Sequence, residues 1–254
     1  MIWQGYGGDI PIDLTFWPEG LDDCDTAILA CATLTEYVHA AQRACKTSFP
    51  VVFLDRNLHV DPDLMRRYIL DAISMLPEDI HTVLVAMGFC GGSWKEVTCP
   101  RRLVIPRIDD CVSMVMTTSD ELCVDTKEKG HMYEFGAEYD GFSIGGIYDD
   151  LVKEYGPEKG KMVFDMMFAG YCNVDIVETG IYDCHEPEFV ANALRDAALI
   201  DGELAFVPGS NHLLEKLVSR QWDEQFLVVE PGTTITQDMI FGSWRKRRNR
   251  RLTC

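Results

Sequence analysis

Four short apolar runs constrain this chain more than any other feature: TAILAC at residues 26–31, FPVVFL at 49–54, TVLVAM at 82–87 and LVI at 103–105. Each is too short for a buried helix and is bounded by polar, Gly or Pro residues, so each reads as a strand buried on both faces. Helical patterns fall between and after them. Residues 33–44 follow the first run, and Asp61-Pro62 then supplies an N-cap with proline in the first turn. Leu64, Met65, Tyr68, Ile69, Ala72, Ile73 and Leu76 recur at helical spacing until Pro77. In the second half the same reading gives helices at 145–155 and 158–170, a strand at 174–177 and a helix at 186–200. A strand at 204–207, a helix at 211–219 and a strand at 225–229 complete it. Strands alternating with helices imply a doubly wound, mostly parallel α/β fold. The expected organisation is an irregular arm at 1–20, an α/β region at 21–242 forming two closely packed lobes that divide near 125–145, and a basic tail at 243–254.

Charge narrows the partners. The chain carries 41 acidic and 23 basic residues, a formal net charge of −18. Six of the basic residues are Arg245, Lys246, Arg247, Arg248, Arg250 and Arg251, leaving 17 against 41 in the body. Such a body repels a phosphate backbone, so nucleic acid is not an expected partner, and the tail reads as solvated. No apolar run approaches the roughly 20 residues that cross a bilayer. The first 20 residues carry Asp9, Asp13 and Glu19 but no Lys or Arg, and so lack the positive region of a secretory signal. The expectation is a cytoplasmic protein without membrane contact. Its ten cysteines lack the even, close spacing of a disulfide framework, which points to reduced thiols and an anaerobic setting.

Ligands of open parallel sheets bind beyond the carboxyl ends of the strands, where loops converge and helix N-termini point inward. Three cysteines stand there. Cys31 ends the first run, Cys90 lies in Met87-Gly88-Phe89-Cys90-Gly91-Gly92 after the third, and Cys111 follows Ile105-Pro106-Arg107-Ile108-Asp109-Asp110 after the fourth. If those strands are neighbours, three sulfurs meet across one crevice as metal ligands. Gly88, Gly91 and Gly92 would let backbone approach a bulky cofactor, and Arg107 would favour thiolates. Three thiolates with an open position suit a zinc that activates substrate or a 4Fe-4S cluster with one free iron. His59 and Asp110 are the candidate proton carriers. Against this stands a plainer reading, in which the cysteines are separate packing residues that never meet. A metal-free enzyme with Cys90 as nucleophile is a further alternative.

Other candidates are weaker. Cys172 and Cys184-His185 flank the strand at 174–177, but adjacent residues on an extended chain point oppositely, which argues against a shared metal. Met162, Met166 and Met167 read as core packing, and Ser143-Ile144-Gly145-Gly146 as a turn.

At these residues the chain resembles a bacterial and archaeal family of unknown function, number 1638 in its series, over nearly its full length. The resemblance rests on Ile28-Leu29-Ala30-Cys31, Leu58-His59 with Pro62, Gly88-Phe89-Cys90-Gly91, and Val104-Ile105-Pro106-Arg107 with Asp110-Cys111. Tyr155-Gly156, Tyr171, Glu178-Thr179-Gly180, Trp222-Asp223, Phe226 and Pro231-Gly232 continue it. Here Ala32 replaces an acidic residue that the family tends to carry, and Asp109 a histidine. The resemblance implies that the three cysteines act as one site. It also implies an association with corrinoid-dependent methyl transfer, with the corrinoid reached through a partner methyltransferase or corrinoid protein. The function expected is therefore metal binding in anaerobic one-carbon, methyl or sulfur metabolism, as a metal-dependent transferase or lyase acting on a soft group of a substrate that the residues do not specify. The alternative is a noncatalytic partner or corrinoid-handling protein of a methyltransferase system.

Overall fold

A computed structural model describes residues 24–136 and 143–242. The arm expected at 1–20 and the basic tail at 243–254 lie outside the described residues. The chain divides into two compact units, one containing residues 127–210 and the other the described residues on either side of them. Both are wound α/β structures built on mostly parallel sheets.

In the outer unit, β1 (Thr26–Cys31) leads into α1 (Thr35–Cys45), β2 (Val51–Leu54), α2 (Pro62–Met75), β3 (Thr82–Ala86), β4 (Arg102–Pro106) and α3 (Cys111–Met116). All residues of β1 and β3 are buried, as strands covered on both faces must be. The Asp61 carboxylate caps α2 by accepting from the N–H groups of Asp63 and Leu64, both at 3.0 Å, with Pro62 in the first turn. Beyond the other end of α2, the Arg101 guanidinium donates to the carbonyls of the C-cap residue Leu76 and of Pro77 and Ile80 in the loop that follows.

The inner unit holds β5 (His131–Glu134), α4 (Ile144–Tyr155), α5 (Pro157–Met167), β6 (Asn173–Glu178), α6 (Pro187–Leu199) and β7 (Glu203–Pro208). Its parallel sheet has the order β5-β6-β7, and Ile144, Leu151, Phe164, Val174, Ile176, Phe189, Ala193 and Ala197 form its core. Residues 143–146 are the start of α4 rather than a free turn, because the Ser143 hydroxyl accepts from the Gly146 N–H at 3.0 Å. The methionines of α5 are not core. Gly160 and Phe164, four residues apart, supply its buried face, while Met162 and Met166 form a second stripe at 58% and 73% exposure and Met167 is also exposed.

The chain then returns to the outer unit through α7 (His212–Val218) and β8 (Phe226–Val229). Asn211 fixes the return by donating its side-chain N–H to the Tyr37 carbonyl at 2.8 Å. The completed sheet has the order β2-β1-β3-β4-β8, parallel except for β8, which runs antiparallel to β4. The connection that leaves β1 runs to β2 on one side of the sheet, and the one that leaves β3 runs to β4 on the other. The carboxyl ends of β1 and β3 therefore border a topological switch point, where an open α/β sheet forms a crevice. No described helix is long and apolar enough to cross a membrane.

Candidate functional site

Cys31 is the last residue of β1, Cys90 opens a short helical turn after β3, and Cys111 is the first residue of α3 after β4. All three are buried. Two backbone hydrogen bonds zip the second and third segments together: the Phe89 N–H donates to the Ile108 carbonyl at 3.1 Å and the Cys90 N–H to the Asp109 carbonyl at 2.7 Å. Gly88 makes this possible, since a Cβ there would lie 2.3 Å from the Asp110 Cα. Cys90 itself holds φ at +43°, which a non-glycine residue adopts at a cost, and Gly91 follows at +66°.

The consequence is that the Cys111 thiol lies close enough to the thiols of both Cys31 and Cys90 for each to act on its ionisation. Cys31 also contacts the Thr33 hydroxyl, with Sγ 3.2 Å from Oγ1. The neighbouring Cys111 thiol, together with burial, pushes the Cys31 thiol well above its usual range. For Cys111 the Cys31 thiol favours the thiolate, but the Cys90 thiol and burial outweigh it and push the group well up. A bound cation would invert that balance by supplying charge to the sulfurs. The three sulfurs are nevertheless not all within 4.8 Å of one another; among the described residues that closeness belongs to a different set, described below.

Cys90 opens onto a hollow of about 440 Å³ whose wall includes His59, Asp109, Asp110, Gly91 and Gly92. His59 arrives there on a helical turn at Arg56–Val60, held by the Asp55 carboxylate accepting from the Asn57 N–H at 2.7 Å. Asp110 caps α3, its Oδ1 accepting from the Ser113 N–H at 2.9 Å. Arg107, expected to favour thiolates, is not among the residues that line the hollow. Its guanidinium donates to the carbonyls of Phe226, Met239 and Ile240 and so anchors the helical segment that begins at Gln237. That segment brings Gln237 and Phe241 to the hollow, and Lys95 also lines it. The sequence reading missed these three. The only signal for Phe241 is a ring that packs on Phe89, edge to face at 5.0 Å, from about 150 residues away.

The remaining cysteines in the described residues are free thiols. Cys172 is exposed and contacts the Gly130 carbonyl at 3.6 Å. Cys184 and His185 lie in a turn rather than on an extended chain, so the argument that they must point apart does not apply. Their ligand atoms and a carboxylate oxygen of Glu178 all lie within 4.8 Å of one another.

The fold is a wound α/β structure with Cys31, Cys90 and Cys111 at or just beyond the ends of β1, β3 and β4. The family is found by comparison: residues 53–218 match the family described as Protein of unknown function (DUF1638), and the chain belongs to it. The match contains His59, Cys90, Asp110 and Cys111 but not Cys31, and is shorter than the nearly full-length resemblance expected. Comparisons with curated proteins and with solved structures gave no match.

Proposed function

We propose that this chain binds a metal through Cys31, Cys90 and Cys111, with an open coordination position toward the hollow, and acts on a soft group such as a thiol or a transferable methyl. The observation that carries this reading is the Cys111 thiol with both other thiols as neighbours, each delivered from a different strand end. Buried thiols of this kind are ligands that a soft or borderline cation matches. Thiolates on one tetrahedral zinc stand roughly 3.8 Å apart. Zinc would therefore draw these cysteines inward, whereas a 4Fe-4S cluster, with each cysteine on a different iron, accepts a wider spread. That His59 and Asp110 line the same hollow as Cys90 supports them as the groups that hold or move a proton for a substrate there. A role in methyl or sulfur metabolism belongs to this proposal, with any corrinoid supplied by a partner protein that docks on the acidic body.

Elemental analysis and an absorption spectrum of protein purified without oxygen test the reading, with a Cys31→Ser, Cys90→Ser, Cys111→Ser variant alongside. Iron with sulfide, or zinc, lost in the variant supports it and names the metal. Equal metal content in both proteins overturns it.

One observation favours a second reading. Cys90 alone among the three lines the hollow, beside His59 and Asp110, as a metal-free cysteine nucleophile would. Metal-free native protein in which Cys90 outpaces every other thiol in alkylation would favour that mechanism.

A further inference from the structure

The inner unit has a polar cluster at the carboxyl end of its own parallel sheet. Glu178 is the last residue of β6, and the turn that leaves it returns Cys184 and His185 to its side chain before α6 begins. His185 Nε2 lies 3.3 Å from Glu178 Oε1, and Cys184 Sγ lies 4.0 Å from the same oxygen. We propose that Glu178, Cys184 and His185 form a second metal site, distinct from the three thiols, that takes a zinc-like divalent cation.

The distances carry the proposal. A tetrahedral zinc with one sulfur, one nitrogen and one oxygen ligand holds those atoms roughly 3.3–3.8 Å apart. The observed separations of 3.3 and 4.0 Å need only a slight contraction, and all three ligand atoms already fall within 4.8 Å. The donor set sets the class of ion. One thiolate, one imidazole and one carboxylate suit zinc or cobalt, whereas magnesium and calcium take all-oxygen sites. Three protein ligands leave a fourth position, and it opens to solvent because the side chains of Glu178 and His185 are 43% and 64% exposed.

The turn is also held in place by contacts outside the cluster. The Tyr182 hydroxyl donates to the Val177 carbonyl at 2.8 Å, and its ring packs edge to face on Phe189. The His185 ring lies against Phe206 of β7, with centroids 4.8 Å apart, which limits the directions Nε2 takes. An ion here would tie the β6–α6 connection to the end of β6 and stabilise the inner unit by mass action.

The test is a titration of the oxygen-protected full chain with zinc, and with cobalt as a spectroscopic substitute whose thiolate-to-metal absorption reports a Cys ligand. Native protein is compared with Cys184→Ser, His185→Ala and the Cys31→Ser, Cys90→Ser, Cys111→Ser variant. The expected result is one zinc equivalent whose affinity falls at least about tenfold in His185→Ala. With cobalt, Cys184→Ser loses a thiolate band that the triple variant retains. Because Cys184 and His185 sit at the surface or partly buried, both single variants fold, and circular dichroism checks this. Unchanged zinc stoichiometry and affinity in Cys184→Ser and His185→Ala overturns the proposal. So does a thiolate band that persists in Cys184→Ser and disappears only in the triple variant.

Discussion

The thiol of Cys111, in the first turn of α3, is a near neighbour of the thiol of Cys31, at the end of β1, although 80 residues separate them in sequence. Cys90 completes the group from the other side of Cys111 and is the member that reaches the hollow. In the metal-free protein this arrangement divides the three by reactivity. Cys31 is held as a thiol by the neighbouring Cys111 and by burial, and Cys111 by Cys90 and burial against the opposing effect of Cys31. Only thiolate attacks an alkylating reagent. At pH 8 iodoacetamide will modify Cys90 before Cys31 and Cys111, as followed by peptide mass spectrometry over time. Modification of Cys31 at the same rate as Cys90 would contradict the arrangement.

Gly88 fixes the relation between the Cys90 and Cys111 loops. An alanine Cβ there would press on Asp110 backbone at 2.3, 2.6 and 2.7 Å, and backbone cannot swing aside as a side-chain tip does. Gly88→Ala will destabilise the outer unit by about 2–3 kcal/mol, as overpacking of a close contact does. Gly136→Ala, where nothing lies within 4 Å, is the control and will shift stability by less than about 0.5 kcal/mol. Urea denaturation followed by the fluorescence of buried Trp94 distinguishes the two.

How much of this was legible in the sequence depends on whether the information was local. The ends of β3 and β4 were legible because their apolar runs stop at Gly88 and Pro106, and that of β1 because a helical pattern begins just after Cys31, which put Cys31, Cys90 and Cys111 in loops or at an element's end. The nearness of Cys111 to the other two thiols depends on the strand order β2-β1-β3-β4, which no single segment encodes. β5 was missed because His131–Glu134 is partly exposed at every position and so lacks both an apolar run and a clean alternation. Cys184-His185 was misread because the extended geometry of β6 was carried past its last residue, Glu178, into a turn. The exposed methionines of α5 show the limit of residue type as a guide, since Gly160 and Phe164 had already filled the face that packs.

Lys216 closes the outer unit around the returning chain. Its ammonium, on α7, donates to Asp120 at 2.6 Å, Asp223 at 2.5 Å and the Gln225 side-chain oxygen at 2.7 Å. Gln225 is itself buried and donates to the carbonyls of Ser119 and Glu121. Lys216→Met keeps the stem's packing but removes a donor from the Gln225 oxygen and the cation from two carboxylates. The expected loss is about 2–3 kcal/mol, because a group left short of a partner in the interior costs more than the bond contributed. Gln225→Met in the same background will cost less than it does alone, and a double-mutant cycle in urea measures the difference.

Glu134, at the end of β5, lies against Asp196 of α6, which is fully buried and accepts the Gly145 N–H at 2.9 Å. Burial, then repulsion from Asp196 and the hydrogen bond with it, push the Glu134 carboxyl from 4.5 up to about 8. The folded unit therefore holds a proton that the unfolded chain releases. Its contribution to stability is fully present below about 4.5 and is lost as the pH rises through about 8, where the carboxyl must ionise beside a second carboxylate. The whole change is at most on the order of 5 kcal/mol, reduced by whatever solvent reaches the pair. Glu134→Gln keeps a hydrogen-bond donor at that position without a titrating proton. Between pH 6 and pH 8.5, hydrogen exchange of β6 amides, corrected for intrinsic rates, will show falling protection in the native chain and nearly constant protection in Glu134→Gln. Equal pH dependence in both proteins would mean that the Glu134–Asp196 pair does not hold that proton.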